Sequence, residues 1–520
     1  MKDSFIEKIP KEIKEIAKTL ADAGHQAYLV GGCLRDLMLS RVPKDWDIAT
    51  DARPEEIQKL FPDSFYENTF GTVGVKVNME TSDVFQTSDV QNIEIIEITT
   101  FRKDGKYSDA RHPDKVEFAD TIEEDLSRRD FTINAMALRL TIDAEHLTLN
   151  KKPRTKSQES SVNGQVLLID PFSGVADLKN QLIRTVGDPN ERFGEDALRL
   201  MRAVRFATQL GFEIEEKTQK AINNNSDALE KIAKERIRDE FEKIIMSDRA
   251  ADGIELLEAS GLLKHVVPEL RDGIGMGQNK HHIYTVFEHN VRALKYAAGK
   301  NYSLDVRLAS LLHDIGKPKS KRGEGPDCTF YGHQVVGERM ARKILERLKF
   351  SKEIIDRVAL LVREHMFVYD PEVVTPAGVR RLLARVGEEN VSDLIRLREA
   401  DRIGSGVPKA QPYRLRALQA MIEKVKADPI SPKMLKIDGN DLMKELKIKP
   451  GPRLGQIIAI LLEEVLTEPK NNDKKELLKR AEELNKLSDS ELKKLTESAK
   501  QVADDAQERI DKEIEKKYFL

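Results

Sequence analysis

Asp45 and Asp47 stand one residue apart in KDWDIAT, downstream of a glycine pair, Gly31 and Gly32, and of Arg35. On a strand, the two-residue period points alternate carboxylates to one face, where their hard oxygens can hold one or two Mg²⁺ ions. The glycines let the backbone approach a ligand closely, and a helix opening just after them would aim its N-terminus at phosphate oxygens. Alone, a glycine pair usually marks a turn and an alternating DxD a solvated strand edge. Their order in one segment is what points to phosphoryl transfer. The pattern predicts a strand over Tyr28–Val30, a helix over Cys33–Ser40, and a second strand carrying Asp45 and Asp47.

The run YLVGGCLRDLMLSRVPKDWDIAT, residues 28–50, resembles the signature of the DNA polymerase beta-like nucleotidyltransferases, specifically the class II tRNA nucleotidyltransferase and bacterial poly(A) polymerase family. Further segments match in the family's order. IEIIEITTFR, residues 93–102, reads as a third strand, with Glu97 a candidate third carboxylate and Arg102 a nucleotide-binding candidate. DGKYSDARHP, residues 104–113, resembles the family's flexible loop, with His112 where arginine is frequent. RRDFTINAMA, residues 128–137, resembles the segment contacting the incoming nucleotide. There Arg128 and Arg129 can bind phosphate, Asp130 can accept a hydrogen bond from a ribose 2′-OH, and Asn134 is counted with them.

EDALRLMRAVRFA, residues 195–207, resembles the family's ED-x-x-R element. On a helix, Asp196 and Arg199 lie three residues apart on one face and can act as a pair. Cytosine and adenine both present an exocyclic amine beside an acceptor ring nitrogen, so an aspartate acceptor next to an arginine donor complements both, while uracil and guanine present the opposite order. Such a spacing is also that of an ordinary surface ion pair. Arg202 and Arg205 continue the spacing and are expected around the base or against the RNA backbone. Residues 170–189 are turn-rich and join head to helices, while residues 81–92 and 150–164 read as surface insertions.

A second constellation runs H, HD, H, H, D over His289, His313, Asp314, His333, His365 and Asp401. A single histidine on an apolar helix is usually a core residue. The series resembles the HD-domain metal-dependent phosphohydrolases, in which His289, His313, Asp314 and Asp401 would coordinate one divalent metal, and His333 and His365 match the added ligands of two-metal members. Imidazole and carboxylate suit Mn, Fe, Ni, Co or Zn, as well as Mg²⁺, and a bound metal can activate water against a phosphoester. Lys317 follows closely enough to contact phosphate.

Around these sites, 520 residues predict several domains. The expected fold class is α+β: a polymerase-beta-like head of mixed sheet and helices over residues 1–145, then an all-α body. A connecting segment would follow at 146–190, a base-recognition neck at 191–275, an HD domain at 276–405, a tRNA-binding body at 406–468 and a charged helical tail at 469–520. Residues 435–466 resemble the family's terminal element, two helices joined by the PGP turn. The net charge of −3 assigns RNA binding to local basic surface, such as residues 402–436, with eight Lys/Arg against two Asp/Glu. Two cysteines, Cys33 and Cys328, exclude a disulfide framework, and the amphipathic start without a long apolar run predicts a cytoplasmic protein with no membrane partner.

The resemblance implies addition of the 3′-terminal CCA of tRNA from CTP and ATP with release of pyrophosphate. A-adding, CC-adding or poly(A) activity are the nearest alternatives. The DGKYSDARHP loop argues against a CC-only enzyme, and VGGCLRD resembles the tRNA nucleotidyltransferases more than the poly(A) polymerases. From other classes, the chain could be mainly an HD phosphohydrolase with an RNA-recruiting head, or a non-catalytic RNA-binding protein. Intact Asp45 and Asp47 argue against the last.

Overall fold

The computed structural model describes residues 3–66, 71–78, 93–104, 116–140, 159–162, 166–278, 283–426, 435–467, 471–497 and 517–518. The chain divides into two compact units, the first comprising Met1–Val362 with Gly404–Gly406 and the second Arg363–Ile403 with Val407–Leu520.

After a 3-10 turn at Asp3–Lys8, the first unit has the helix Lys11–Asp22, which buries Ile13, Ile16, Ala17 and Leu20, the three-and-four spacing of one apolar stripe. The strands that follow are β1 (Ala27–Val30), β2 (Asp47–Thr50), β3 (Ser64–Tyr66), β4 (Thr72–Asn78), β5 (Ile93–Thr100), β6 (Arg102–Asp104), β7 (Val116–Phe118), β8 (Ala137–Arg139), β9 (Glu159–Val162) and β10 (Val166–Ile169). Eight of them form one sheet in the order β3-β4-β5-β2-β1-β8-β10-β9, and β6 with β7 form a separate ribbon. Central β1 is buried throughout, as its continuous apolar AYLV run requires. It pairs antiparallel with β2 and β8, whereas β2 and β5 run parallel.

Two expectations change in the head. Asp45 lies in a bend just before β2, so only Asp47 is in the strand. The expected insertion at 150–164 contains β9, an antiparallel edge strand on β10, because its Ser-Ser-Val end completes the sheet's backbone pairing. The rest of that insertion, residues 81–92 and nearly all of the expected flexible loop lie outside the described residues.

Below the sheet come the helices Pro189–Glu195, Leu198–Leu210, Lys234–Ile245 and Ala250–Ala259. They pack through Met201, Val204, Ile237, Phe241, Ile244 and Ile254, all buried. The helices Val286–Gly299 and Leu304–Leu312 follow, each started by a hydroxyl cap, from Thr285 and Ser303.

The second unit is helical where described. Gly439–Leu446 and Pro452–Thr467 flank the PGP turn, and with Lys474–Asn485 they enclose Leu442, Ile457, Leu461, Leu477 and Leu484. Among the described residues, no helix is long and apolar enough to cross a membrane.

Candidate active site

The turn from β1 into the helix Gly31–Met38 sets the site. Gly31 has φ of 71°, and a Cβ there would lie 3.1 Å from Arg129 Nη1 and 3.3 Å from Asp47 Oδ2. Its glycine identity therefore follows from a left-handed backbone and from two charged groups crowding it. At Gly32 a Cβ would make only an ordinary 3.7 Å contact with Arg35, so packing alone does not demand glycine there.

Asp47 is the register partner of Glu97 across β2 and β5, which turns both carboxylates to the same face. Burial pushes the Asp47 carboxyl up, Arg129 opposes this, and neighbouring Asp45 adds to the rise. Asp45 and Asp47, like charges near enough to repel, are hard oxygen donors of the kind that suits a divalent cation such as Mg²⁺. Cys33, below them, donates to the Val30 carbonyl at 3.0 Å, and burial followed by Asp47 pushes its thiol up to about 12.

Arg128 and Arg129 are both anchored on buried Asp125, at 2.8 and 3.1 Å. Burial alone would raise that carboxyl, but Arg129 and Arg128 together hold it below its usual range. Asp125, the anchor of both arginines, is one that sequence reasoning missed, being one of three acidic residues in a row on the helix Ile122–Ser127. Arg102 meets the same carboxylate through its backbone N–H, at 3.4 Å.

A polar chain then joins head to neck. Arg35 Nη1 donates to Asn134 Oδ1 at 2.9 Å, Asn134 Nδ2 donates to Asp130 Oδ1 at 3.2 Å, and Arg202 Nε donates to Asp130 Oδ2 at 2.7 Å. Burial would raise Asp130, but Arg202 and Arg199 hold it far below the ordinary carboxylate range. Four residues singled out by sequence are thus one network. Arg35, Arg202 and Arg205 also surround the Phe206 ring, with guanidinium carbons 5.1, 5.3 and 4.1 Å from its centroid. Arg205 turns inward to Glu240 at 3.1 Å, because its helix packs on Lys234–Ile245, which carries that buried carboxylate. The short turn Thr132–Asn134, which carries Asn134, is held separately: the buried Asp177 accepts from Thr132 at 2.6 Å and from both Nε and Nη2 of Arg184.

Asp196 and Arg199 depart from the helical pair expected. Asp196 sits extended (φ −143°, ψ 106°) in a break between the helices Pro189–Glu195 and Leu198–Leu210. Its Oδ1 accepts from the Leu198 N–H at 3.0 Å and its Oδ2 from Arg236 Nη2 at 2.8 Å. Arg199 is engaged by Glu195 and by the Arg192 carbonyl at 3.0 Å. The physical reason for the break is that the aspartate caps the second helix, as short acidic side chains do. Arg236 carries no local sequence signal, being brought in from 40 residues away.

The histidine series gathers in part within the first unit. His289 Nε2 and His313 Nε2 are 2.9 Å apart, and Asp314 lies 3.2 Å from His289, 3.4 Å from His313 and 3.2 Å from His333. His313 and His333 direct Nδ1 at the carbonyls of Ser310 and Phe330, at 2.9 and 2.8 Å. With Nδ1 donating in a neutral ring, Nε2 of His333 is an acceptor facing the Asp314 carboxylate, an arrangement that a cation between them satisfies. Lys317 reaches Asp314 and Gln278, each at 2.6 Å. Burial would raise Asp314, while Lys317 and His313 hold it well below its usual range. His365 and Asp401 belong to the second unit, where Asp401 pairs with Arg398 at 2.6 Å.

Comparison with known proteins agrees with this geometry. The Poly A polymerase head domain family matches residues 27–184, the family described as "Probable RNA and SrmB- binding site of polymerase A" matches 211–274, and a tRNA nucleotidyltransferase domain 2 family matches 333–481. The CCA-adding enzyme of Lactococcus lactis is 32% identical over 472 residues, covering 90% of this chain and 96% of that protein. The Lactobacillus helveticus CCA-adding enzyme is 45% identical over 243 residues, 46% of this chain and 50% of its own length. A crystal structure of the Bacillus stearothermophilus CCA-adding enzyme in complex with CTP has a TM-score of 0.56 at 27% identity, covering 93% of this chain and 98% of that one. With glycine turn, carboxylates and neck arginines in the arrangement described and the likeness running nearly end to end, this chain belongs to the CCA-adding enzyme family of tRNA nucleotidyltransferases.

Proposed function

We propose that the protein adds or repairs the 3′-terminal CCA of tRNA from CTP and ATP without a nucleic-acid template, releasing pyrophosphate. The observation that carries this reading is the convergence of Asp47, Gly31 and Arg129 beside the Asp47–Glu97 register pair. Mg²⁺ held by Asp45 and Asp47 would lower the cost of deprotonating the tRNA 3′-OH and neutralise triphosphate charge. Gly31 and Gly32 admit the triphosphate to the N-terminus of the helix Gly31–Met38, where orphan N–H groups face it. Arg35, Arg128 and Arg129 balance its charge, their guanidiniums pre-set by Asn134 and Asp125. Asp130, ionised and held from three sides, keeps acceptor capacity for the ribose 2′-OH. Asp196 and Arg199 read the Watson–Crick edge shared by C and A. Incorporation assays with Asp45→Ala and Asp47→Ala test the reading: each should reduce nucleotide addition about a thousandfold or more, since the cation site and its charge stabilisation go together. Near-wild-type rates would refute it.

A second reading concerns His289, His313, Asp314 and His333: the Asp314 carboxylate faces all three imidazoles, Oδ2 toward His289 at 3.2 Å and His313 at 3.4 Å, and Oδ1 toward His333 at 3.2 Å. We propose that they hold a divalent transition metal (Mn, Fe, Ni, Co or Zn) or Mg²⁺ for phosphoester hydrolysis at RNA ends, with Lys317 balancing the phosphate. Comparing Asp314→Ala with Asp47→Ala separates the sites: the first should abolish ring opening of a 2′,3′-cyclic phosphate to a monophosphate, or release of phosphate from a terminal monophosphate, while sparing nucleotide addition, and the second should do the reverse. Loss of addition in a folded Asp314→Ala protein would sink the two-site picture.

A further inference from the structure

Asp196 and Arg199 carry opposite charges a short span apart, and left to themselves they would close on each other. Closure would consume the acceptor and the donor that a base edge needs. The chain keeps them separate. Asp196 is outside either helix, its Oδ1 on the Leu198 N–H at 3.0 Å, and its backbone carbonyl takes the Arg199 N–H at 3.0 Å. Arg236, on the helix Lys234–Ile245, presents Nη2 at 2.8 Å to Oδ2 and Nη1 at 3.4 Å to Oδ1. Arg199 is turned to Glu195, which also takes Arg192 at 2.9 Å. Each member of the pair therefore has its own counter-ion from a different neighbour. A carboxylate offers about four lone-pair sites, so Asp196 retains capacity for an exocyclic amine after these contacts, and it is 15% exposed to receive one.

We infer that Arg236 is a positioning residue for base selection: it holds the Asp196 carboxylate away from Arg199, and so sets the preference for C and A over U and G. This rests on the nucleotide-adding function proposed above. The guanidinium fork fixes the carboxylate plane in a way that a single ammonium does not. In Arg236→Ala, Asp196 is free to swing onto Arg199, and the cost falls on bases that require the separated pair.

The test measures kcat and KM for CTP, ATP, UTP and GTP on tRNA transcripts with wild type, R236A, R236K, D196A and R236A/D196A, alongside thermal melting. The CTP/UTP and ATP/GTP ratios of kcat/KM should fall about tenfold or more in R236A, the scale of one charged hydrogen bond, mainly through KM. R236K should recover part of the ratio. In the D196A background, removing Arg236 should lower the ratios no further. Equal slowing on all four nucleotides, unchanged ratios, or a full additional loss on D196A would overturn the inference. Should R236A lose its native melting transition, R236K carries the test, with an unchanged ratio overturning it. A wild type that adds neither C nor A would instead overturn the underlying function, and the inference with it.

Discussion

Asp47 on β2 and Glu97 on β5 are register partners in parallel strands, so their carboxylates leave the same face of the sheet side by side. Arg129 Nη1 and Asp47 Oδ2 also crowd the position that a Gly31 side chain would take. The head thus concentrates acidic and basic groups at one turn, and its glycine can be tested directly.

Gly31→Ala is expected to cost about 1–2 kcal/mol from the left-handed backbone alone. It should also push Arg129 and Asp47 apart and lower nucleotide addition at least tenfold. Chemical denaturation and steady-state kinetics measure the two effects; an alanine protein with wild-type stability and rate would mean that this turn does not constrain the site.

Asp130 joins Asn134 to Arg202, and its native carboxyl lies far below its unfolded value of about 3.9. A depressed carboxylate contributes stability that is present above the unfolded pKa and is lost as pH falls through the folded one. The pair should therefore stay intact at neutral and mildly acid pH, with its contribution fading only below about pH 4. Asp130→Asn should cost about 1.5 kcal/mol, the lower end for a charged hydrogen bond because Arg202 is one-third exposed, and this difference should shrink in strong acid. The same variant should narrow the preference for ATP over 2′-deoxy-ATP, and an unchanged preference would remove Asp130 from ribose reading.

Much of this site was legible because its chemistry is local. Gly31, Asp47 and the His313–Asp314 doublet announce themselves by residue type and short spacing. The strand over Tyr28–Val30 and the PGP turn follow from apolar runs and turn residues. Glu195–Ala207 misled for a physical reason: no glycine or proline interrupts it, and its apolar spacing continues across Asp196, so the break made by the capping carboxylate leaves no mark. Partners supplied from a distance, Arg236 on Asp196 and Asp177 under Thr132, are tertiary facts without a sequence pattern. Asp45 failed as a strand residue by only two positions, within the reach of a local bend.

The histidine cluster should take up a divalent ion independently of nucleotide addition. Full-length protein titrated with Mn²⁺ or Ni²⁺, followed by calorimetry and by the melting shift, should bind through His289, His313, Asp314 and His333. His313→Ala should weaken binding at least about tenfold, as loss of a metal ligand does. Equal binding by the variant would place the metal elsewhere.

Cys33 is buried against Val30 and Asp47, with its thiol pushed up to about 12, so it stays protonated and inaccessible at pH 8. In a Cys328→Ser background, a thiol reagent should modify Cys33 only after denaturant is added. Rapid labelling of the native protein would contradict this packing beneath the carboxylates.

The central claim is best tested by supplying the purified protein with three tRNA transcripts, ending before CCA, after C and after CC, with CTP and ATP given singly and together. The account predicts C, C and A added in order, with addition stopping once the terminal A is in place. Incorporation of A only onto the CC-ended transcript, long A tails, or no incorporation on any transcript would contradict it.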